Sequence, residues 1–379
     1  MNAPTARLLR LAVRDFRNLA HVDLTPPPDG LVVIGENGQG KTNLLESIYY
    51  LQILRSARGA RDQDLVRFGT DTFHIGATVE TDGCHEIGVG FDRPQKRKRA
   101  RIDGVVPERL SDALGALPSV MFSPADVELI AGAPNARRRF LDIVLALSAP
   151  GYLGALQRYR GALARRNAAL REAARSGRAS TASVAVWEPP LAEHGATLWS
   201  ARRAWVASVG DRFEQLCHDI GESANVRIRY VSTLPSGDPP HAAVAGALAA
   251  ALDEKRALDL RRGLTHVGPH RDDLAITLDG HDLRVFGSAG QHRTAAIALR
   301  MLEAATFTER SGRAPLFLLD DPFAELDARR SSRILDLLTR DGLGQTVLAV
   351  PREVDIPIEL TRLDRLRVVA GSVTPFSGT

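Results

Sequence analysis

The sequence predicts an α/β head interrupted by a mostly helical lobe, and three observations predict it. A short apolar run, Leu31-Val32-Val33-Ile34, leads into a glycine-rich loop and then into an apolar helix pattern. A second apolar run, Leu316-Phe317-Leu318-Leu319, ends in two carboxylates. Between the two, residues 136–176 and 191–220 carry apolar side chains at helical spacing.

The 379 residues suffice for two or three domains, and an apolar fraction of 44% excludes wholesale disorder. Cys84 and Cys217 are too few for a zinc cluster or a disulfide framework, which suits a reducing, cytoplasmic setting. Residues 1–16 mix Arg with Leu and Val and contain no uninterrupted apolar stretch, so no signal peptide is read. No run of about 18 apolar residues escapes charge, so no membrane span and no membrane partner are expected. The formal charge of +4 is compatible with nucleic acid without requiring it. Lysine occurs only at positions 41, 96, 98 and 255, which makes Lys41 conspicuous.

The elements follow in order. Residues 8–13 and 31–34 are short apolar runs, and residues 72–80 and 86–91 alternate, so the first third reads as strands and turns. Leu44, Leu45, Ile48 and Leu51 space a helix directly after Lys41. Leu153, Leu156, Tyr159, Leu163 and Leu170 form one apolar stripe, with Arg158, Arg165, Arg166 and Arg171 around it. A helical stretch covers residues 191–220, and residues 232–240, rich in Pro, Gly and Ser, form a loop. From residue 265 strands and helices mix again, and residues 316–319 have the continuous apolarity of a buried parallel strand. The simplest parse is a head in two parts, residues 1–125 and 263–379, with the lobe at 126–262.

The glycine-rich loop reads Gly35-Glu36-Asn37-Gly38-Gln39-Gly40-Lys41-Thr42, followed by Asn43. Strand, loop and helix stand in the order that a phosphate cradle requires. Backbone N–H groups and the helix N-terminus face phosphate oxygens. Lys41 supplies a charge to the β and γ phosphates, and the Thr42 hydroxyl is a Mg²⁺ ligand. ATP and Mg²⁺ are therefore the expected cofactors. Asp320, at the carboxyl end of an apolar strand, is the second candidate metal ligand, and Asp321 is placed to act on an attacking water. A third segment, Phe286-Gly287-Ser288-Ala289-Gly290-Gln291, opens a helix and offers N–H groups and the Ser288 hydroxyl to phosphate.

This three-part arrangement resembles the ABC ATPases, in which Ser288, Gly290 and Gln291 would close on ATP held by another subunit. Ala324-Glu325-Leu326-Asp327 matches the D-loop. The expected fold is thus α/β, an ABC-type P-loop ATPase head with an inserted mostly helical lobe. Further segments narrow the likeness to the RecF family: Asp15-Phe16-Arg17-Asn18, Phe122-Ser123-Pro124 with Asp126, and Arg137-Arg138-Arg139-Phe140-Leu141-Asp142. Tyr159, Arg165-Arg166-Asn167 and Leu170 continue it, and Gly268-Pro269-His270-Arg271-Asp272-Asp273-Leu274 is the most diagnostic stretch. The resemblance spans residues 8–348. It implies a cytoplasmic DNA-repair ATPase that forms an ATP-dependent homodimer and binds gapped DNA at single/double-strand junctions. It also implies action with RecR and RecO on RecA loading, with slow, DNA-stimulated hydrolysis as a release step.

Three departures qualify the likeness. The family usually has Gln where Ala289 and His292 stand. Val350-Pro351 replaces the usual Thr-rich switch after the strand at 346–349. Gln63 is only one reading of the Q-loop, a plain surface glutamine being the other. Lys96, Arg97, Lys98, Arg99 and Arg101 precede Asp103-Gly104, a hairpin turn signal; they read as a solvated face or as DNA-phosphate contacts. His270 and Arg271 beside Asp272 and Asp273 read as an internal salt-bridge corner, and residues 137–139 as helix-end pairing. A transporter ATPase would have a compact head, against roughly 275 residues between Lys41 and Asp320. A protein of the SMC type with long arms would sustain heptads, whereas the stripe here covers about two and a half. A purely structural DNA binder would have lost Lys41, Thr42, Asp320 or Asp321.

Overall fold

The computed structural model describes residues 4–176, 181–234, 237, 239–323, 326–340 and 344–376. The strands are β1 (Arg7–Phe16), β2 (Leu19–Leu24), β3 (Gly30–Ile34), β4 (Thr72–Glu80), β5 (Cys84–Asp92), β6 (Arg97–Ile102), β7 (Ser119–Phe122), β8 (Val226–Val231), β9 (Asp273–Leu278), β10 (His281–Asp282), β11 (Leu316–Asp320), β12 (Thr346–Val350), β13 (Asp364–Val369) and β14 (Ser372–Pro375). The chain divides into two compact units. One comprises Met1–Asp126, Asp219–Gly221 and Ala296–Thr379; the other comprises Val127–His218 and Glu222–Ala295.

The first unit holds two sheets. One is antiparallel, in the order β2-β1-β4-β5-β6; the other runs β14-β13-β3-β12-β11-β7, parallel apart from the β14 edge. The sequence patterns explain the difference. Strands β3, β11 and β12 are buried along their whole length, as parallel strands covered on both faces must be. Strands β4 and β5 alternate, so one face meets the core and the other meets water. The helix Lys41–Ile53 packs on β7, β11 and β12 and also on β1. Its Tyr50 meets Phe16 and Phe73 edge to face, and Phe73 stacks on Phe91. That aromatic row anchors the antiparallel sheet to the helix. Gln345, buried at the foot of the parallel sheet, donates to the carbonyls of Leu8 and Pro27 and accepts from the Leu8 N–H.

The second unit is built on the helices Pro134–Ser148, Tyr152–Ser176, Glu188–Ile220 and His241–Arg262. It also contains a three-stranded sheet, β10-β9-β8; β8 falls inside the stretch read as helical lobe, whereas β9 and β10 lie beyond residue 265, where strands were expected. The stripe prediction needs one correction. Arg166 is not among the cations surrounding the stripe but within it, seven residues after Tyr159 and four before Leu170, and fully buried. It donates to Asp259 at 2.7 Å, to Glu188 at 2.9 Å and to the Thr265 hydroxyl at 2.9 Å. Arg202 is likewise buried and binds Asp142, the Tyr152 hydroxyl and the Pro269 carbonyl. This unit therefore surrounds ion pairs as well as apolar side chains.

Candidate nucleotide site and signature loop

Strand β3 delivers the loop Gly35–Gly40, and Lys41 begins the helix behind it. Gly40 takes φ 122°, which L side chains rarely adopt, and a Cβ there would stand 2.9 Å from the Asn18 amide. The loop is held from several sides. The Asn18 side chain donates to the Gln39 carbonyl at 2.9 Å, and its oxygen accepts from Asn43 at 2.8 Å. The turn after β13 clasps the other flank: the Ala370 N–H donates to the Gln39 side chain, and the Gly371 N–H to its carbonyl. Within the helix, Glu46 is fully buried and accepts from Arg17, Arg58 and Ser56. Burial pushes its carboxyl up, yet these partners outweigh burial and hold it below the usual range.

Lys41 curls back over the loop and donates to the carbonyls of Gly35 at 2.6 Å and Glu36 at 3.0 Å. Burial lowers its pKa, opposed by Asp320 and Asp321. Thr42 Oγ1 donates to Asp320 Oδ2 at 2.8 Å. Burial raises the Asp320 carboxyl, while Thr42 and Lys41 pull it down. Asp321 follows with φ 47°, left-handed backbone, and its N–H donates to the Ala349 carbonyl. Strand β12 ends at Val350, which lies beside Ile34 across the β3 pairing.

These residues fit a Mg²⁺-nucleotide. The turn at Gly40 and the start of the helix supply backbone N–H donors suited to phosphate, and the Thr42 hydroxyl and the Asp320 carboxylate meet 2.8 Å apart, a pair that could hold a metal. Among the described residues no group of three or more His, Cys, Asp or Glu could hold a metal. A metal here must therefore draw ligands from phosphate and water, which is the habit of Mg²⁺.

The remaining candidates fall as follows. In the second unit, Ser288 is exposed and opens the helix Ala289–Ser311. Its N–H donates to the Gln291 side chain at 2.9 Å, and its hydroxyl accepts from the Gln291 N–H at 3.3 Å, a reciprocal cap. Asp327 caps the helix Ala328–Arg340 by accepting from the Arg330 N–H, while Ala324 and Glu325 lie outside the described residues. Gln63 uses its carbonyl to accept from Arg93, and among the described residues no hydrogen bond takes its side chain to the loop. Strand β6 splits the basic run by alternation. Arg97, Arg99 and Arg101 are exposed, but Lys98 points inward, pairs with Asp62 at 2.7 Å and lies over the Tyr50 ring. Lys98 is thus removed from the candidate DNA contacts.

The corner at Gly268–Leu274 is structural, but its acids pair with neither of the two adjacent basic residues. Asp273 binds Arg137 bidentately, the Asp272 carboxylate accepts from Tyr230, and Arg138 donates to the Asp272 carbonyl. His270 accepts from or donates to Tyr159 at 2.6 Å, and burial pushes its pKa down to about 4. Asn18 and Glu46 were the residues whose role the sequence left unread. Glu46 carried a signal, a carboxylate inside the apolar spacing of the helix.

Fold and site together define an ABC-type P-loop ATPase head, the class that includes SMC heads. A family model described as the RecF/RecN/SMC N terminal domain matches residues 7–350. The DNA replication and repair protein RecF of Herpetosiphon aurantiacus is 34% identical over 387 residues, covering 97% of this chain and 99% of its own. That of an Anaeromyxobacter species (strain Fw109-5) is 38% identical over 374 residues, covering 98% and 99%. A solved structure of the recombination mediator RecF with ATP, from the RecFOR pathway, superimposes with a TM-score of 0.90 at 28% identity and covers 99% of both chains. An Smc head from Pyrococcus furiosus, at 15% identity and a TM-score of 0.55 over 98% of this chain and 97% of its own, shares the fold alone. The chain belongs to the RecF family. No helix among its described residues is long and apolar enough to cross a membrane.

Proposed function

We propose that this chain is an ATP-gated, DNA-binding recombination mediator of the cytoplasm. ATP and Mg²⁺ bind along Gly35–Asn43, with Lys41 on the β and γ phosphates and Thr42 and Asp320 holding the metal. Asp321 orients the attacking water. Ser288, Gly290 and Gln291 of a second copy close on the γ-phosphate, with Asp327 at the same junction, so ATP drives a homodimer. The dimer binds gapped DNA at single/double-strand junctions and works with RecO and RecR to load RecA. Slow, DNA-stimulated hydrolysis then releases it.

The observation that carries this reading is the contact between Thr42 and Asp320, 278 residues apart and 2.8 Å distant. It leaves both metal-binding groups beside the curled Lys41. The exposure of Ser288 at a helix N-terminus supports the dimer, because a loop that meets only its own chain has no need of it. Sedimentation with ATP and Mg²⁺, against ADP, with and without gapped duplex, tests the cycle. The parent should dimerise only with ATP, and Ser288→Arg should bind ATP yet stay monomeric. A Ser288→Arg dimer would rule out the two-copy sandwich.

A further inference from the structure

The outward face of the antiparallel sheet takes no part in the nucleotide site. Val13, Ile75, Val89 and Ala100 point into the core, so their strand neighbours point to solvent. The register sets Arg14 beside His74, His74 beside Gly90, and Gly90 beside Arg99. In the next row Ala12 lies beside Gly76, Gly76 beside Gly88, and Gly88 beside Arg101.

Two properties of this face stand apart. The first is uncompensated charge. Arg14, Arg97, Arg99 and Arg101 are exposed and, among the described residues, form no ion pair, whereas Arg10 on the same β1 is bidentate with Asp23. Arg97, Arg99 and Arg101 stand two residues apart on one side of one strand, about 7 Å between neighbours, so they repel one another. Nothing among the described residues rewards that arrangement; an external polyanion would. The second property is relief. Gly76, Gly88 and Gly90 fill adjacent outward positions where strands ordinarily carry branched or aromatic side chains. Among the described residues, the side chain that lies over them is the His74 ring: a Cβ on Gly88 would reach its Cε1 at 3.4 Å, and one on Gly90 its Nδ1 at 3.5 Å, though the Phe73 carbonyl stands nearer to the latter, at 3.1 Å. Glycines inside strands mark places where another backbone comes close.

We propose that this face receives duplex DNA across one groove: the glycine trough lets the sheet approach closely, Arg14 on one bank meets one sugar-phosphate backbone, and Arg99 and Arg101 on the other bank meet the other. The proposal rests on the DNA-binding reading above and gives it a location. Three strand spacings separate β1 from β6, so the banks stand about 14 Å apart. That is close to the ~12 Å width of a B-DNA major groove, so the two banks meet phosphates on either side of one groove. A single strand would engage one bank only. The face carries no base-reading element, so binding is indifferent to sequence.

The test uses the full chain with ATP and Mg²⁺, a short duplex and a single strand of equal length, titrated across salt. Arg14→Gln, Arg99→Gln and Arg101→Gln together should flatten the log–log salt slope for duplex by about 2–3, at roughly 0.9 per phosphate contact. Gly88→Val leaves charge unchanged and favours the strand, so the fold should hold while the filled trough lowers duplex affinity several-fold at unchanged slope. ATP affinity should match the parent in both variants, which reports that the head is folded. Arg10→Gln, which removes a paired cation, should leave the slope as it was. An unaltered slope in the triple variant, or parental duplex affinity in Gly88→Val, overturns the site. So does a loss confined to the single strand. A parent that binds no DNA defeats the DNA-binding reading and this site together; a parent that binds beside unaffected variants defeats the site alone.

Discussion

Thr42→Val isolates the bond that joins the two halves of the nucleotide site. Valine keeps the shape of threonine and removes only the hydroxyl, so packing at the helix start is preserved. Without nucleotide the variant loses the 2.8 Å bond to Asp320, a carboxylate that is only 6% exposed. A hydrogen bond to a charged group contributes about 1.5–3 kcal/mol, and the acceptor left behind is desolvated. The first unit should therefore lose about 2 kcal/mol in urea unfolding. The same hydroxyl is the proposed Mg²⁺ ligand, so Mg²⁺·ATP affinity should fall roughly 10- to 100-fold, about 1.4–2.7 kcal/mol. In EDTA, ATP affinity should equal that of the parent, because Lys41 and the loop N–H groups remain. Calorimetry with and without Mg²⁺ reads both numbers. In a double-mutant cycle with Asp320→Ala the two losses should be non-additive by about 1 kcal/mol or more. Equal loss of affinity in EDTA, or additive losses, would refute the shared-metal assignment.

Other outcomes follow from the same geometry. Asp321→Asn should retain ATP and the dimer while phosphate release falls about 100-fold or more, since general-base help is worth roughly 10²–10⁴. Asparagine tolerates the left-handed φ of 47° as aspartate does, so the backbone is undisturbed, and an unchanged turnover would move the base elsewhere. Arg166→Met should destabilise the second unit by about 3–5 kcal/mol, measured by thermal unfolding, because Asp259 and Glu188 lose their shared buried cation. A shift below about 1 kcal/mol would mean that Arg256 and His266 suffice for these acids. Lys98→Gln should lower stability by about 1 kcal/mol through the loss of Asp62 and Tyr50, and it should leave the salt slope of DNA binding untouched.

What the sequence determined by itself was local. The strand–loop–helix at residues 31–53, the paired acids after β11, the alternation of β4 and β5 and the long helices of the second unit all follow from neighbours a few positions apart. Periodicity and loop chemistry act at that range, so the residues proposed to cradle phosphate could be named before any fold was known. The Asp103-Gly104 turn was legible in the same way: both residues take positive φ.

Only the tertiary structure decided the rest. Asn18 and the β13–β14 turn clasp the P-loop because strands distant in sequence end beside it. Lys98 and Arg99 share one charge and opposite fates, since the pleat of β6 sends them to opposite faces. Arg166 and Arg165 differ likewise: Arg165 meets solvent and the Trp187 ring, whereas Arg166 enters the core because Asp259, Glu188 and Thr265 gather around it. A charge run in sequence records how many cations there are. Which of them stays free to meet a ligand depends on partners brought from far along the chain, and burying a cation is tolerable only where those partners arrive.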